Sequence, residues 1–168
     1  MTVVVVTPPE PIVSLEEMER HLADLPDEDQ QYVELLISAA TAWIDGPAGW
    51  LGRAIGKQTL EYRSDCWPAE LPYRPAIDIV TVTVGGVTVE DVTVRPDGRL
   101  SYPHGLGSGE VVIQYRAGYE KAPDPVRVAV MMLVAQWYNT RENVITRTIT
   151  SEMPFAVDAL LQPYRVYR

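Results

Sequence analysis

Apolar residues recur at helical spacing in three main stretches of the chain, and the longest follows Asp124-Pro125. This pair is typical of a helix N-cap and first helical residue, because Asp accepts a bond from a free amide and Pro has no amide to lose. We predict a core helix from there to Arg141, since burying Leu133 or Trp137 is worth roughly 1.5–3 kcal/mol each. Its apolar face consists of Val126, Ala129, Val130, Leu133 and Trp137.

Two further helices are predicted before residue 50. Ser14 and Glu17 form a capping box, in which each side chain accepts a hydrogen bond from the backbone amide of the other residue. Pro26 ends this first helix. Acidic residues at 27–29 suit the positive end of the second helix dipole, and Gly46-Pro47 ends that helix. The apolar stripes are Leu15, Met18, Leu22 and Leu25 in the first helix, and Val33, Leu36, Ile37, Ala40, Trp43 and Ile44 in the second.

From Gln58 the pattern changes to an alternation of apolar and polar residues, which is typical of strands. Gly85-Gly86 predicts a two-residue hairpin, because glycine accepts the positive φ of primed turns. Pro96-Asp97-Gly98 predicts a second turn. The predicted strands cover residues 59–63, 78–84, 87–89, 92–95, 99–102 and 110–116. They indicate a small antiparallel sheet or sandwich that is inserted between helices.

The two ends of the chain are more irregular. Three prolines before residue 12 exclude a regular helix, so we predict an extended arm over residues 1–13. Val3 to Val6 could add to the edge of another sheet, although disorder is the default for a terminus. Residues 143–153 are polar and β-branched, which favours a loop or an arm that orders on assembly. Residues 154–168 are predicted to be a last helix and an aromatic, basic tail.

Together these elements predict an α+β fold that is mainly α. Its body is a helical bundle of residues 14–56 and 117–142, and residues 57–116 are a small antiparallel β module inserted between the second and the penultimate helix. Cys66 is the only cysteine, which excludes an intrachain disulfide and makes a reducing cytoplasm the simplest setting. Beside Trp67, its side chain is interpreted as a small buried hydrophobe rather than a nucleophile.

The net charge of −9 argues against a protein that reads nucleic-acid sequence, because such proteins carry a basic face. A helix-turn-helix interpretation of the first two helices is weak for the same reason, since no Lys or Arg lies between Asp29 and Trp50. The first 30 residues are acidic with Arg20 as their only cation, whereas the tail from Arg141 is mildly basic. This polarity suits head-to-tail contacts between subunits or with another partner, and a solvated acidic face explains it equally well. No apolar run approaches the roughly 18–20 residues of a membrane helix.

Residues that could carry chemistry are sparse. His21 and His104 are the only histidines, and neither has the spacing of a metal ligand. Ser101 and Asp97 could join His104 in a hydrolase triad, but the three crowd one turn. We therefore predict no catalytic, cofactor or metal site and no enzymatic activity. A small hydrolase is the alternative, and it requires a pocket that gathers His104 with a carboxylate of shifted pKa.

An ordered set of motifs carries a resemblance to a known family. A strand ends in Tyr115-Arg116-Ala117-Gly118-Tyr119, prolines follow at 123 and 125, and a helix closes with the residues Trp137 to Glu142. The other motifs, in order, are Ser14-Leu15-Glu16-Glu17, Leu36-Ile37-Ser38-Ala39-Ala40, Leu71-Pro72 to Pro75 ahead of Val80 to Val84, Pro154, Ala159-Leu160-Leu161 and Pro163-Tyr164-Arg165. In these residues the chain resembles the head–tail connector (adaptor) proteins of long-tailed phages and gene transfer agents. The valine-rich N-terminal arm departs from the family pattern.

The resemblance implies a subunit that assembles with itself into a ring, typically a dodecamer, beneath the portal of a DNA-filled head. Such a protein joins the portal protein to a stopper or tail-completion protein in the neck of a virion or virus-like particle, and it is assembled in the host cytoplasm. It has no cofactor and no membrane partner. DNA passes through the ring without sequence-specific binding. An acidic channel wall would let the DNA slide, because it offers no cationic contacts that release counterions from the DNA. The alternative is a protein-binding module of a virion or cytoplasmic complex that forms no ring.

By similarity, the segment from about Pro154 to Arg168 is the expected portal-binding element. Tyr and Arg are enriched in interface hot spots, and a tail that packs on its own subunit is the alternative interpretation. The residues predicted to contact the portal are Phe155, Leu160, Tyr164, Arg165, Val166, Tyr167 and Arg168.

Overall fold

The computed structural model describes residues 1–103, 109–140 and 155–167. Within these ranges the helices are α1 (Leu15–Leu22), α2 (Gln30–Ile44), α3 (Asp124–Thr140) and α4 (Phe155–Leu161). The strands are β1 (Thr2–Thr7), β2 (Gln58–Ser64), β3 (Ala76–Val84), β4 (Val87–Thr88), β5 (Thr93–Val94), β6 (Leu100–Ser101) and β7 (Val111–Ala117). Single 3₁₀ turns at Asp27–Asp29 and Gln162–Tyr164 precede α2 and follow α4.

Five strands form one antiparallel sheet in the order β1-β2-β7-β3-β4, and β5 pairs with β6 in a separate ribbon. β7 lies at the centre of the sheet, where Tyr115 is opposite Leu60 on one side and Ile79 on the other. Buried and more exposed residues alternate along β2 and β7, as the two-residue period of a strand requires. Gly85 and Gly86, with φ of 56° and 82°, make the predicted hairpin between β3 and β4.

The predicted α+β class is confirmed, but the predicted helical-bundle body is wrong. The sheet is a major part of the fold, since β2, β3 and β7 have seven, nine and seven residues. It also includes β1, which lies in the predicted arm and pairs with β2 of its own chain, with Val4 opposite Glu61. Local periodicity underestimated the sheet because a pairing between such distant segments leaves no mark in either one. The division of the chain into a body and an inserted module stays a prediction.

The interior contains two hydrophobic clusters. The helical cluster connects α1, α2, α3 and α4 through buried side chains such as Met18, Ile37 and Leu133. The sheet cluster is built around Leu60 and Tyr115, which are fully buried. Most of the predicted helix stripes are buried here, and these predictions are confirmed: Val33, Ile37, Ala40 and Ile44 in α2, and Val126, Ala129, Val130 and Leu133 in α3.

Trp43 of α2 is an exception to the predicted stripe. Its side chain is exposed, and it contacts only the edge of the helical cluster, where its ring lies 6.3 Å from that of Trp137. The reason is that α2 carries more apolar residues than one face can bury. Apolar side chains are thus left over on the outer side of this helix.

Candidate functional site

The C-terminal segment, predicted as the portal-binding element, is attached to the helical cluster by α4. Val157 and Leu161 are buried in that cluster, and Leu160 packs against it while half-buried. The opposite side of α4 faces outward, so that Phe155 is 88% exposed. This short helix therefore fixes the segment to the subunit and leaves one large aromatic side chain in solvent.

The tail after α4 packs on the loop that follows α2. The guanidinium carbon of Arg165 lies 4.0 Å from the ring centroid of Trp50 and 4.7 Å from that of Tyr167, in cation–π geometry. The amide of Val166 donates to the carbonyl of Leu51 at 2.8 Å. These contacts hold the tail against its own subunit.

The predicted portal-contact residues thus fall into two groups. Leu160, Tyr164 and the backbone of Val166 contact their own subunit. Phe155 and Tyr167 are largely exposed, the latter at 72%, although the Tyr167 hydroxyl donates to the Gln162 side chain at 3.2 Å. Arg165 contacts two rings of its own chain, and Arg168 lies outside the described residues. Which of these residues contact the portal stays a prediction.

Gly52 is needed where the tail crosses the loop. Its φ is +63°, and a Cβ at this position would lie 2.7 Å from the Val166 carbonyl oxygen. Replacing Gly52 with alanine is expected to cost about 1–2 kcal/mol for the left-handed backbone and to displace the tail as well. Limited trypsin digestion followed by mass spectrometry should then show faster cleavage after Arg165.

Gly86→Ala is the matched control for this prediction. Gly86 has a similar φ of +82°, but nothing lies within 4 Å of the position of an added Cβ. Backbone strain alone should therefore leave cleavage after Arg165 unchanged. Equal cleavage in the two variants would show that Gly52 does not support the tail.

A buried carboxylate that the sequence analysis missed connects α2 to the sheet. Asp45 is almost fully buried at the end of α2. One of its oxygens, Oδ1, accepts bonds from the Ile55 amide at 2.8 Å and from the Gln58 side chain at 2.9 Å. The other, Oδ2, accepts from the Gly56 amide at 2.7 Å. The sequence signal was present, since Asp45 is the only acid between Glu34 and Glu61 and lies beside an apolar stripe.

The environment of Asp45 is structural rather than catalytic. Burial raises the pKa of this carboxyl, and the bonds from Ile55, Gly56, Gln58 and the Gly46 amide oppose that shift. Both oxygens are already used in holding the loop before β2. The carboxylate is therefore a junction between the helical and sheet clusters.

A cleft at the same junction is lined by charged side chains that form ion pairs within the subunit. Its lining includes Glu17, Lys57 and Arg127. Arg127 of α3 pairs with Glu17 of α1 and, at 2.9 Å, with Asp124. Lys57 pairs with Glu120 at 2.8 Å, and that carboxylate raises the pKa of the lysine. These charges connect the elements of the subunit with one another.

Two of the three residues considered for hydrolysis lie in the described part of the chain. Ser101 is exposed on β6, and Asp97 accepts from the Arg99 amide at 3.1 Å. His104 lies outside the described residues, so the triad itself is not tested. Cys66 is exposed, so the prediction that it is buried is wrong; it follows the end of β2, where the chain leaves the sheet.

Two other kinds of site are absent from residues 1–103, 109–140 and 155–167. There, no group of three or more His, Cys, Asp or Glu side chains is arranged to hold a metal ion. None of the helices in those ranges has the length and apolar character needed to cross a membrane.

Comparison with known proteins identifies the fold. Solved structures that share it include the neck of an empty GTA particle computed with C6 symmetry (23% identity, TM-score 0.66), the virion of a native gene transfer agent (GTA) particle (23%, 0.69), and the neck of a native GTA particle computed with C12 symmetry (22%, 0.68). In each case the alignment covers 100% of this chain and 97% of the other. No match was found among curated proteins.

The family is identified independently, because a family model for head completion proteins matches residues 12–167. This match confirms the resemblance to head–tail connectors. It also confirms the prediction that the chain is not an enzyme, since head completion proteins are structural proteins of virions. The chain belongs to the head completion protein family.

Proposed function

We propose that this protein forms a ring beneath the portal and joins the portal to the neck or tail components below it. The observation that carries the proposal is the family match over residues 12–167, which includes both the helical and the sheet clusters. The neck of a native GTA particle, whose fold the chain shares, was computed with C12 symmetry, which supports a ring of twelve copies. In this role the protein lies in the neck of a virion or virus-like particle.

The charge of the chain supports a channel through which DNA passes. With a net charge of −9, the subunit has few cations to exchange for the counterions of DNA. Exposed cations are further neutralised by neighbours, as in the pair of Arg116 with Asp78 on the sheet. The ring would therefore let DNA slide, while a stopper or tail-completion protein binds its lower side.

The C-terminal segment is proposed to bind the portal through its exposed aromatic residues. Leu160, Tyr164 and Val166 position the segment, and Phe155 and Tyr167 extend from it into solvent. Large aromatic side chains bury much area at a low entropic cost, so they are the side chains most often found in hot spots. Arg165 and Arg168 would add charge at the rim.

Deletion of residues 163–168 tests the proposal. We expect a subunit that remains folded, because the two clusters are built mainly from residues before 162, but that no longer binds purified portal rings. Co-sedimentation with portal rings measures binding, and circular dichroism measures folding. Val87→Ala is the control variant. It changes an exposed valine on β4, which is remote in sequence from the deleted residues, and it should bind portal rings as the wild type does.

Two outcomes would contradict the proposal. One is that the truncated protein still attaches heads to tails, which would show that the C-terminal segment is not the portal-binding element. The other is an image of the native particle in which the protein is not at the neck, or binds there without forming a ring; the latter would favour the alternative of a protein-binding module.

A further inference from the structure

An apolar stripe runs along part of the outer side of α2, beside the exposed polar residues Gln31, Glu34 and Ser38. Glu34 is the only charged residue in this 15-residue helix. Leu35 is 64% exposed, and the apolar residues before and after it on the same side are also exposed. Their spacing of three and four residues places them in one row. This outer stripe of α2 consists of Tyr32, Leu35, Ala39, Ala42 and Trp43.

Such a stripe is not expected on a helix that faces water. A surface helix keeps polar residues across its outer side, whereas α2 has Gln31, Glu34 and Ser38 on only one part of that side. The two ends of the stripe are also held in place by α3. The Tyr32 ring lies 6.4 Å from Tyr138, and the Trp43 ring lies 6.3 Å from Trp137. The stripe is therefore an apolar surface that is already held in place in the single subunit.

A second uncharged stripe lies on α3. After Arg127 this helix has no charged residue as far as its end at Thr140. Val128 is 40% exposed, and Met132 and Ala135, which follow at spacings of four and three, are half-buried. These three residues are the outer stripe of α3, in which Met132 also packs against the helical cluster of its own subunit. The chain thus has two apolar helix surfaces that its own fold leaves partly uncovered.

We propose that the outer stripe of α2 packs on the outer stripe of α3 of a second copy, the next subunit in the ring. This inference rests on the proposed ring and names the contact that closes it. A ring needs two different surfaces on every copy that are complementary to each other, whereas one surface that pairs with itself gives a closed dimer. A portal partner alone would account for one uncovered surface, and this chain has two of matching chemistry.

The small size of the outer stripe of α2 indicates how strong the contact between neighbouring subunits is. From Tyr32 to Trp43 it is about 17 Å long and roughly 10 Å wide, from the rise and diameter of a helix. That is well below the roughly 800 Å² that each partner buries in a standard stable interface. The contact should therefore be weak between free subunits and become stable when the portal holds neighbouring copies side by side.

Cysteine cross-linking of portal-bound protein tests the inference. In a Cys66→Ser background, Leu35→Cys and Val128→Cys are made singly and together, and oxidation is followed on a non-reducing gel. The double variant should give a ladder of oligomers up to the full ring, because each copy then links to the next. Each single variant should remain monomeric. Val87→Cys, exposed on β4, is the control paired with Leu35→Cys and should give no ladder.

Thiol labelling supplies the second measurement. Leu35→Cys should be labelled in the free protein and lose that labelling on the portal, whereas Val87→Cys should be labelled in both states. Dimers from Leu35→Cys alone, a cross-link from Leu35→Cys to the portal, or unchanged labelling on the portal would each overturn the inference. In all three outcomes the protein still binds the portal, so the proposed function would stand. Failure of the wild-type chain to bind the portal would instead contradict the proposed function.

Discussion

Replacing Asp45 with alanine is expected to destabilise the protein by about 3–5 kcal/mol, a large share of the roughly 5–15 kcal/mol that stabilises a typical domain. The change leaves the amides of Ile55 and Gly56 and the side-chain amide of Gln58 without their buried acceptor. Each unpaired donor costs about 1–3 kcal/mol, and the loop between α2 and β2 can move to recover part of this. Urea unfolding followed by circular dichroism measures the loss.

Asp78→Ala is the control for this prediction. Asp78 also accepts bonds from a charged partner, Arg116, at 2.7 Å for the Nε–Oδ1 pair. This pair is solvent-exposed, however, and exposed ion pairs contribute only about 0–1 kcal/mol. Equal losses from Asp45→Ala and Asp78→Ala would show that the buried carboxylate does not hold the junction.

The raised pKa of Asp45 also predicts how the stability of the protein changes with pH. Because burial raises the pKa of Asp45 above 3.8, the folded state binds this proton at a higher pH than the unfolded chain. The contribution of Asp45 to the free energy of unfolding is therefore largest at low pH and decreases as the pH rises through the folded pKa. Asp45→Asn cannot titrate, so the stability gap between wild type and this variant should narrow as the pH rises from below 3.8.

Features encoded by neighbouring residues were predictable from the sequence. The capping box is present, since the Ser14 amide donates to Glu17 at 2.9 Å and the Glu17 amide donates to the Ser14 hydroxyl at 3.3 Å. The glycine hairpin and the buried faces of α2 and α3 follow from spacing alone. Each of these depends on residues within a few positions of one another, which is the range that periodicity covers.

Features that depend on distant contacts were not predictable. β1 is a run of valines without alternation, and only its pairing with β2 makes it part of the sheet. The sequence marks Asp45 only as the one acid between Glu34 and Glu61, and its partners Ile55, Gly56 and Gln58 are brought around it by the fold. In the tail, aromatic and basic composition indicated an interface. It could not separate Arg165, whose partner Trp50 is remote in sequence, from the exposed Tyr167.

The distinction between Arg165, which contacts its own subunit, and the exposed aromatic side chains leads to the prediction with the largest functional effect. The double variant Phe155→Ala with Tyr167→Ala is expected to weaken portal binding by roughly 100- to 1,000-fold, because two hot-spot side chains are worth about 2 kcal/mol each. Folding should be almost unchanged, since the two side chains are 88% and 72% exposed. Titration of portal rings by surface plasmon resonance measures binding, and urea unfolding measures folding.

Arg165→Ala separates positioning from contact in the same assay. The substitution removes the cation–π contacts of the guanidinium with the Trp50 and Tyr167 rings, which are worth about 0.5–2 kcal/mol, and loosens the tail without removing an exposed aromatic side chain. Binding should therefore fall less than in the aromatic double variant, and most of the loss should return when lysine replaces arginine, because a cation over the ring is restored. If Arg165→Ala abolishes binding while the aromatic variant binds normally, the portal is recognised through charge, and the aromatic assignment is wrong.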